Sequence, residues 1–299
     1  LKATAKVHGD VYTYSVEDRI AVYSRTTSMY SEKVQRFQEF NYEAMLHYNT
    51  ALKNFTLNAF IGTNLMHQRR NINNGETQGG LIIPEYYNLS NATSVLTTDK
   101  TYRKEIRSLL GNVSLGWKSM LFADATFRND WSSTLPANEN SYFYPSFSGS
   151  FIFTELEPVK AVSWLNFGKV RLGWAQVGND TDPYSLSRTY EYKNSSFGGV
   201  PNYGLDIILN NAHLKPELTN SVEAGIELKL LNNRVGLDLT YYNNLTKNQI
   251  MQVPLAASSG YTSQWMNAGE ISNKGLEVVL NVVPVQTANF QWEATFNWS

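Results

Sequence analysis

Long stretches of this chain alternate apolar and polar residues with a period of two. From Leu218 one face reads Leu218, Asn220, Val222, Ala224, Ile226, Leu228 and Leu230, and the other reads Thr219, Ser221, Glu223, Gly225, Glu227 and Lys229. Past a turn at Asn232-Asn233, Val235, Leu237, Leu239 and Tyr241 alternate with Arg234, Gly236, Asp238 and Thr240. Phe290, Trp292, Ala294, Phe296 and Trp298 repeat the pattern at the end. Successive side chains of a strand point to opposite faces, so this rhythm marks strands with one apolar face. The same stripes run through Phe40–Tyr48, Phe55–Ile61, Val113–Trp117, Leu121–Phe127, Phe143–Phe153, Val170–Trp174 and Leu276–Val282, and more weakly through Ala3–Val7. They amount to about eleven strands, many near the roughly 9–11 residues that cross a bilayer at a tilt. The one short segment with any helical rhythm, Glu32–Glu39, is polar and reads as part of a loop.

The connections alternate in length. Tight ones are expected at Leu52-Lys53, Lys118-Ser119, Asn232-Asn233 and Pro284–Ala288, with a longer one at Leu156–Ser163. Between them fall Gly-, Asn-, Ser- and Thr-rich stretches, roughly 17–36, 68–103, 131–141, 178–217 and 250–270. Short turns at one end and long loops at the other are the habit of transmembrane β-barrels. A soluble β-sandwich alternates its faces too, but nothing in it requires loop lengths to alternate.

Composition narrows the partners. Charged residues make up 17% of 299 residues, below the roughly 25% of soluble domains, and the net charge is -1. That leaves no basic footprint for nucleic acid. Aromatics reach 13%, with 18 Tyr and 7 Trp, which suits membrane–water interfaces but equally a carbohydrate-binding β domain. The chain has no Cys, which removes disulfides and thiolate metal sites. No apolar run is long enough for a transmembrane helix, so a membrane span would have to be β. Opening on Leu1 and stopping at Ser299 within an alternating run, the sequence reads as an internal stretch of a longer protein.

Cost assigns the faces. An Arg or Lys turned to lipid at mid-membrane costs roughly 2–4 kcal/mol in a barrel. Lys169, Arg171, Lys229 and Arg234 are therefore expected on the lumen side or near an interface, and the Phe/Leu/Val/Trp stripes against lipid. Trp117, Tyr241 and Trp292 are candidates for aromatic girdles.

Four segments carry a family resemblance. The first is Arg128-Asn-Asp-Trp-Ser-Ser-Thr-Leu-Pro136 with Tyr142-Phe-Tyr-Pro-Ser-Phe-Ser-Gly-Ser-Phe151; the second is Lys169-Val-Arg-Leu-Gly-Trp-Ala-Gln-Val-Gly-Asn179. The third runs from Leu214-Lys-Pro-Glu217 through Glu223, Gly225, Asn233-Arg234 and Tyr241-Tyr242 to Thr246. The fourth is Gly260-Tyr261, Asn267-Ala-Gly269 and Asn273-Lys-Gly-Leu-Glu277. In this order and spacing they resemble the SusC/RagA family of TonB-dependent outer-membrane transporters, most clearly over about 105–299. The resemblance implies an all-β fold: residues 1–299 as part of a receptor β-barrel, an antiparallel segment making about half of a 22-stranded barrel. Short periplasmic turns and long extracellular loops would join its strands. It further implies a bacterial outer-membrane location, energy delivered by TonB through an N-terminal plug, and a SusD-like surface lipoprotein as lid. The implied cargo is an oligosaccharide or peptide.

Chemistry is sparse. His8, His47, His67 and His213 are scattered and form no metal-ligand pair, and no catalytic elbow or phosphate loop appears. Neither catalytic residue, metal nor cofactor is expected. Glu223, Glu227, Asp238 and Glu277 could be read as glycosidase carboxylates, or as polar residues of a hydrated lumen. Asn179-Asp180-Thr181-Asp182 suits either calcium or an Asx-type turn. Loop aromatics that could stack on cargo are Tyr86, Tyr87, Tyr190, Tyr192, Phe197, Tyr203 and Trp265, against loop packing or lid contact as the alternative. A soluble or surface glycan-binding protein is the second reading, and a β-rich hydrolase the third.

An eleven-strand open sheet leaves two unpaired edges and a broad apolar face. Expressed alone, the segment should enter inclusion bodies; recovery as a soluble monomer that unfolds cooperatively would contradict the barrel.

Overall fold

In a computed structural model, residues 1–197 and 200–299 are described, those at 192–197 and 201 by backbone alone. Among the described residues sixteen strands form in chain order: β1 Lys2–Ile20, β2 Met29–Leu52, β3 Phe55–Gln78, β4 Ser94–Trp117, β5 Leu121–Ser132, β6 Ser141–Ile152, β7 Leu165–Asn179 and β8 Tyr190–Phe197. Then come β9 Val200–Leu205, β10 Ile208–Leu209, β11 Glu217–Leu230, β12 Val235–Lys247, β13 Ile250–Pro254, β14 Ser263–Asn267, β15 Glu270–Gln286 and β16 Gln291–Trp298. Eleven of them make one antiparallel sheet in the order β1-β2-β3-β4-β5-β6-β7-β11-β12-β15-β16. Each strand lies beside its predecessor in that order, as in an up-and-down barrel wall, and β1 and β16 are its open edges.

Register keeps one face apolar across the whole wall. Following directly paired residues from β2 to β16 gives Leu52, Phe55, Trp117, Leu121, Phe151, Val170, Ile226, Leu239, Val278 and Trp298. The opposite face, from β2 to β11, gives Asn49, Asn58, Ser114, Asp124, Ser148, Gly173 and Glu223. A slip of one residue in any strand would break both rows. Along β3 the apolar face holds from Phe55 to Leu65. At about 3.3 Å per residue and a tilt of about 45°, those residues rise roughly 25 Å, the height of a barrel's apolar band. Thr63 falls inside this band, and its hydroxyl donates to the Ser108 carbonyl at 2.9 Å. The next position on the same face is His67, with its Nδ1 3.4 Å from Glu105 Oε2. Polarity returns where the band ends.

Among the described residues the buried apolar cluster is small: Leu135, Tyr142 and Leu214. The exposed large apolar residues include Leu115, Phe147, Leu172 and Phe296. An apolar face this wide must meet a non-aqueous phase. Aromatics cluster near its margins. Trp117 tilts against Phe55 at 6.4 Å with the Lys118 ammonium 4.9 Å above it. Tyr241 and Trp292 also lie exposed on this face, near the two ends of the band.

Tight turns alternate with longer connections except between β6 and β7, where residues 153–164 make a connection longer than those at 21–28 and 133–140. Lys53, the Lys118-Ser119 pair and the Leu231-Asn232-Asn233 run adopt positive φ, which reverses the chain tightly. The connection read at Leu156–Ser163 contains a single helical turn, α1 Glu157–Lys160. The last turn lies at Thr287–Phe290 rather than Pro284–Ala288, because Pro284 is absorbed into a register shift between Val282 and Val285.

The long connections differ most from expectation. Residues 17–20, 29–36, 68–78 and 94–103 are strand, and Glu32–Glu39 belongs to β2. These extensions carry polar residues on both faces, so no alternation marks them. Their ladder is held instead by cross-strand pairs such as Asn71 Nδ2 to Thr101 Oγ1 at 2.7 Å. The stretches at 178–217 and 250–270 contain β8–β10 and β13–β14, which form two small separate sheets.

The two faces of one strand make opposite predictions. Leu172→Arg, on the apolar face, should destabilise the full-length protein in lipid vesicles by roughly 2–4 kcal/mol. Gly173→Arg, on the polar face where a Cβ would meet nothing within 4 Å, should be near neutral. Urea titration of vesicle-folded protein measures both, and equal costs would refute the face assignment.

Candidate functional site: a roofed cavity on the polar face

The polar face is cross-linked. Arg171 on β7 reaches over β11 to clasp Asp238 on β12 through two hydrogen bonds of 2.9 and 2.5 Å, and it also donates to Thr240. The strand between offers Gly225 at the crossing, where a Cβ would stand 2.5 Å from the Arg171 Nε. Glycine is needed there so that the side chain can lie flat. Arg128 pairs with Asp130 at 2.8 Å and donates to Ser108 at 3.0 Å, while Tyr144 donates to Asp130 at 2.6 Å. Asp124 accepts from Ser114, and Thr126 bonds Ser146. Lys229 lies over the Phe167 ring at 5.4 Å. Glu227 pairs in register with Lys169 and Asp238. The carboxylates considered for hydrolysis thus sit on a strand face bearing cations, and Asp238 is committed to Arg171.

Toward the long-loop end, the connection after β7 folds back over this face. Asp180 anchors it. One carboxylate oxygen takes the Lys104 ammonium at 2.5 Å, and the other accepts from Ser132 and from Thr134 at 3.0 Å. Both oxygens are therefore engaged by β4 and by the end of β5. The side chain neither closes a local turn nor offers open ligands; the local turn is closed by Ser185 donating to the Asp182 carbonyl at 2.9 Å. Tyr184 then packs against Tyr102 with ring centroids 6.1 Å apart.

A small apolar cluster fixes the roof. Leu214 is fully buried beside Leu135 and Tyr142, with Leu186, Ile250 and Trp265 packed around them. Asn267 joins the loops: its Nδ2 donates to the carbonyls of Lys215 and Asn248, and its Oδ1 accepts from the Lys215 amide at 2.8 Å. Glu217 accepts from the Ile250 amide at 2.6 Å. Residues of all four sequence motifs thus brace the wall or this rim, which explains their spacing without any catalytic role.

Wall and roof border a half-open cavity of about 870 Å³. Its lining includes Arg70, Tyr102, Tyr184, Asp182, Asp206 and Trp265. Of the loop aromatics singled out in the sequence, Trp265 is in this lining. Tyr86 and Tyr87 sit in the β3–β4 connection, where Tyr87 donates to Glu85 and lies 5.4 Å from the Arg19 guanidinium. Tyr190 and Tyr203 are exposed on the β8–β9 hairpin. The side chains of Tyr192 and Phe197 lie outside the described residues. Sequence reasoning missed Arg70, Tyr102, Tyr184 and Asp206. The only signal was the Arg69-Arg70 pair within a stretch taken for loop.

Comparison with known proteins gives the lineage. The family model described as TonB dependent receptor-like, beta-barrel matches residues 3–299. The TonB-dependent receptor P26 of Formosa agariphila is 29% identical over 215 residues, covering 70% of this chain and 22% of that protein. The TonB-dependent receptor SusC of Bacteroides thetaiotaomicron is 26% identical over 202 residues, covering 65% of this chain and 20% of SusC. The chain thus spans about a fifth of the length of these relatives. The solved RagAB peptide transporter superposes with a TM-score of 0.83 at 18% identity, covering 99% of this chain and 33% of that one.

Asp180 yields a stability prediction. Removing one partner of a buried ion pair costs about 3–5 kcal/mol. Asp180→Ala should strip amide hydrogen-exchange protection from 132–134 and 180–186 of the full-length protein while sparing the band; unchanged protection would remove Asp180 as the anchor. The continuous apolar band and the family match agree, and the chain belongs to the TonB-dependent receptor β-barrel family.

Proposed function

We propose that this chain is barrel wall of an outer-membrane importer, with residues 1–299 forming half of a barrel of about 22 strands. The observation that carries the reading is the unbroken apolar row from Leu52 to Trp298, backed by a hydrated polar row and a roofed cavity at the long-loop end. A wall of this kind separates lipid from a lumen and performs no bond chemistry, so the protein is read as a transporter and not an enzyme. Its cargo is an oligosaccharide or a peptide, its energy comes through TonB acting on a plug, and a SusD-like lipoprotein lids the rim. SusC and the RagAB peptide transporter among its relatives support this choice over other barrel functions. Trp265, Tyr190, Tyr203, Tyr86 and Tyr87 are proposed as stacking surfaces for cargo or lid, together with Tyr192 and Phe197.

The test is a mild-detergent pull-down of the tagged full-length protein from outer membranes. A roughly stoichiometric surface lipoprotein is the expected companion. A barrel isolated without one would point to another TonB-dependent class. A protein found soluble would overturn the transport reading.

A further inference from the structure

We infer that the roofed cavity selects a peptide carrying charges of both signs over a neutral oligosaccharide. The inference rests on the importer reading and deepens it. Most charged groups near the cavity already have partners. Lys104 holds Asp180 at 2.5 Å, Lys100 lies 3.9 Å from Glu191, and Arg128 holds Asp130 at 2.8 Å. Within the lining, Arg70, Asp99, Asp182 and Asp206 stand apart. Among the described residues none of the four has an ion-pair partner or a side-chain hydrogen bond to another side chain.

Arg70 is nonetheless positioned. It lies on the polar face of β3, directly across from Tyr102 on β4, with its guanidinium 4.6 Å from the Tyr102 ring centroid. Stacking fixes the plane of a guanidinium and leaves its N–H edge free to take a carboxylate with two parallel bonds. Tyr102 is held in turn by Tyr184 of the roof. Asp182 belongs to the same roof segment, and its backbone carbonyl is fixed by Ser185. Asp206 enters from the segment after β9.

Water solvates these charges while the cavity is open. Cargo filling a cavity of about 870 Å³ displaces that water. A neutral glucan replaces it with hydroxyls only and leaves full charges poorly compensated, which is costly. A peptide restores the balance: a carboxylate, from its C-terminus or an acidic side chain, on Arg70, and an ammonium or guanidinium on Asp182 and Asp206. Tyr102, Tyr184 and Trp265 supply apolar surface for its side chains. The volume lies within the roughly 300–1,000 Å³ of ligand pockets, enough for a short peptide segment.

The test uses full-length protein purified with its companions in mild detergent. Three probes are titrated by calorimetry: a peptide of about ten residues with Lys and Asp side chains and free ends, its neutral capped counterpart, and maltoheptaose. The charged peptide should bind tightest and weaken with salt. Arg70→Ala, and separately the double variant Asp182→Asn/Asp206→Asn, should each lower its affinity about tenfold or more, with Arg70→Lys intermediate because a point charge replaces the fork. Heat-modifiable gel mobility verifies that each variant is folded. Equal binding of charged and neutral peptides would overturn the inference. So would failure of the charged peptide to bind, or binding of maltoheptaose that the substitutions leave unchanged. In the maltoheptaose case the importer reading would stand, whereas protein absent from the outer membrane would fell both.

Discussion

One constraint organises this protein: a backbone that crosses hydrocarbon must satisfy every N–H and C=O within itself. A sheet meets it only by pairing each strand with the next, and its side chains must then obey one parity across all of them. The chain of paired residues from Leu52 to Trp298 is that parity made visible across ten strands. The buried apolar cluster of Leu135, Tyr142 and Leu214 is small because it does not hold the wall together. Its task is to seat the loops.

The same parity hands the other face to polar chemistry. Side chains there have water on one side and a strand on the other, so they pair laterally, as Arg171 does across Gly225 to Asp238. Within the apolar band an Arg on the opposite parity would meet lipid; Arg107, on that parity, lies where the band ends and pairs with Glu105 at 2.8 Å. The lateral pairs share a surface with the anchor of the roof: Lys104 and Ser132, which hold Asp180, lie on the polar face of the wall itself. Cavity and wall are therefore one construction, and the four sequence motifs make physical sense as its braces.

Within the apolar band, the sequence was legible because lipid and lumen impose opposite demands on neighbouring residues. Above the band both faces are wet, and the demand disappears. That is why Arg69–Gln78 and Ser94–Arg103 read as loop yet continue β3 and β4. The tight turns were legible from Asn and Lys at reversals, but Pro284 misled by sitting in a register shift rather than a turn.

By itself the sequence determined the wall: its strand number, its tight turns and its two faces, since all of these depend on neighbours within a few residues, while the ordered motifs gave the family resemblance. Only the tertiary structure decided the site. Asp180 meets Lys104 across 76 residues of chain, and Arg70 becomes a cavity group only because Tyr184 comes to rest on Tyr102. Which charges are satisfied and which remain unpaired is a property of such long-range meetings, and no local pattern encodes it.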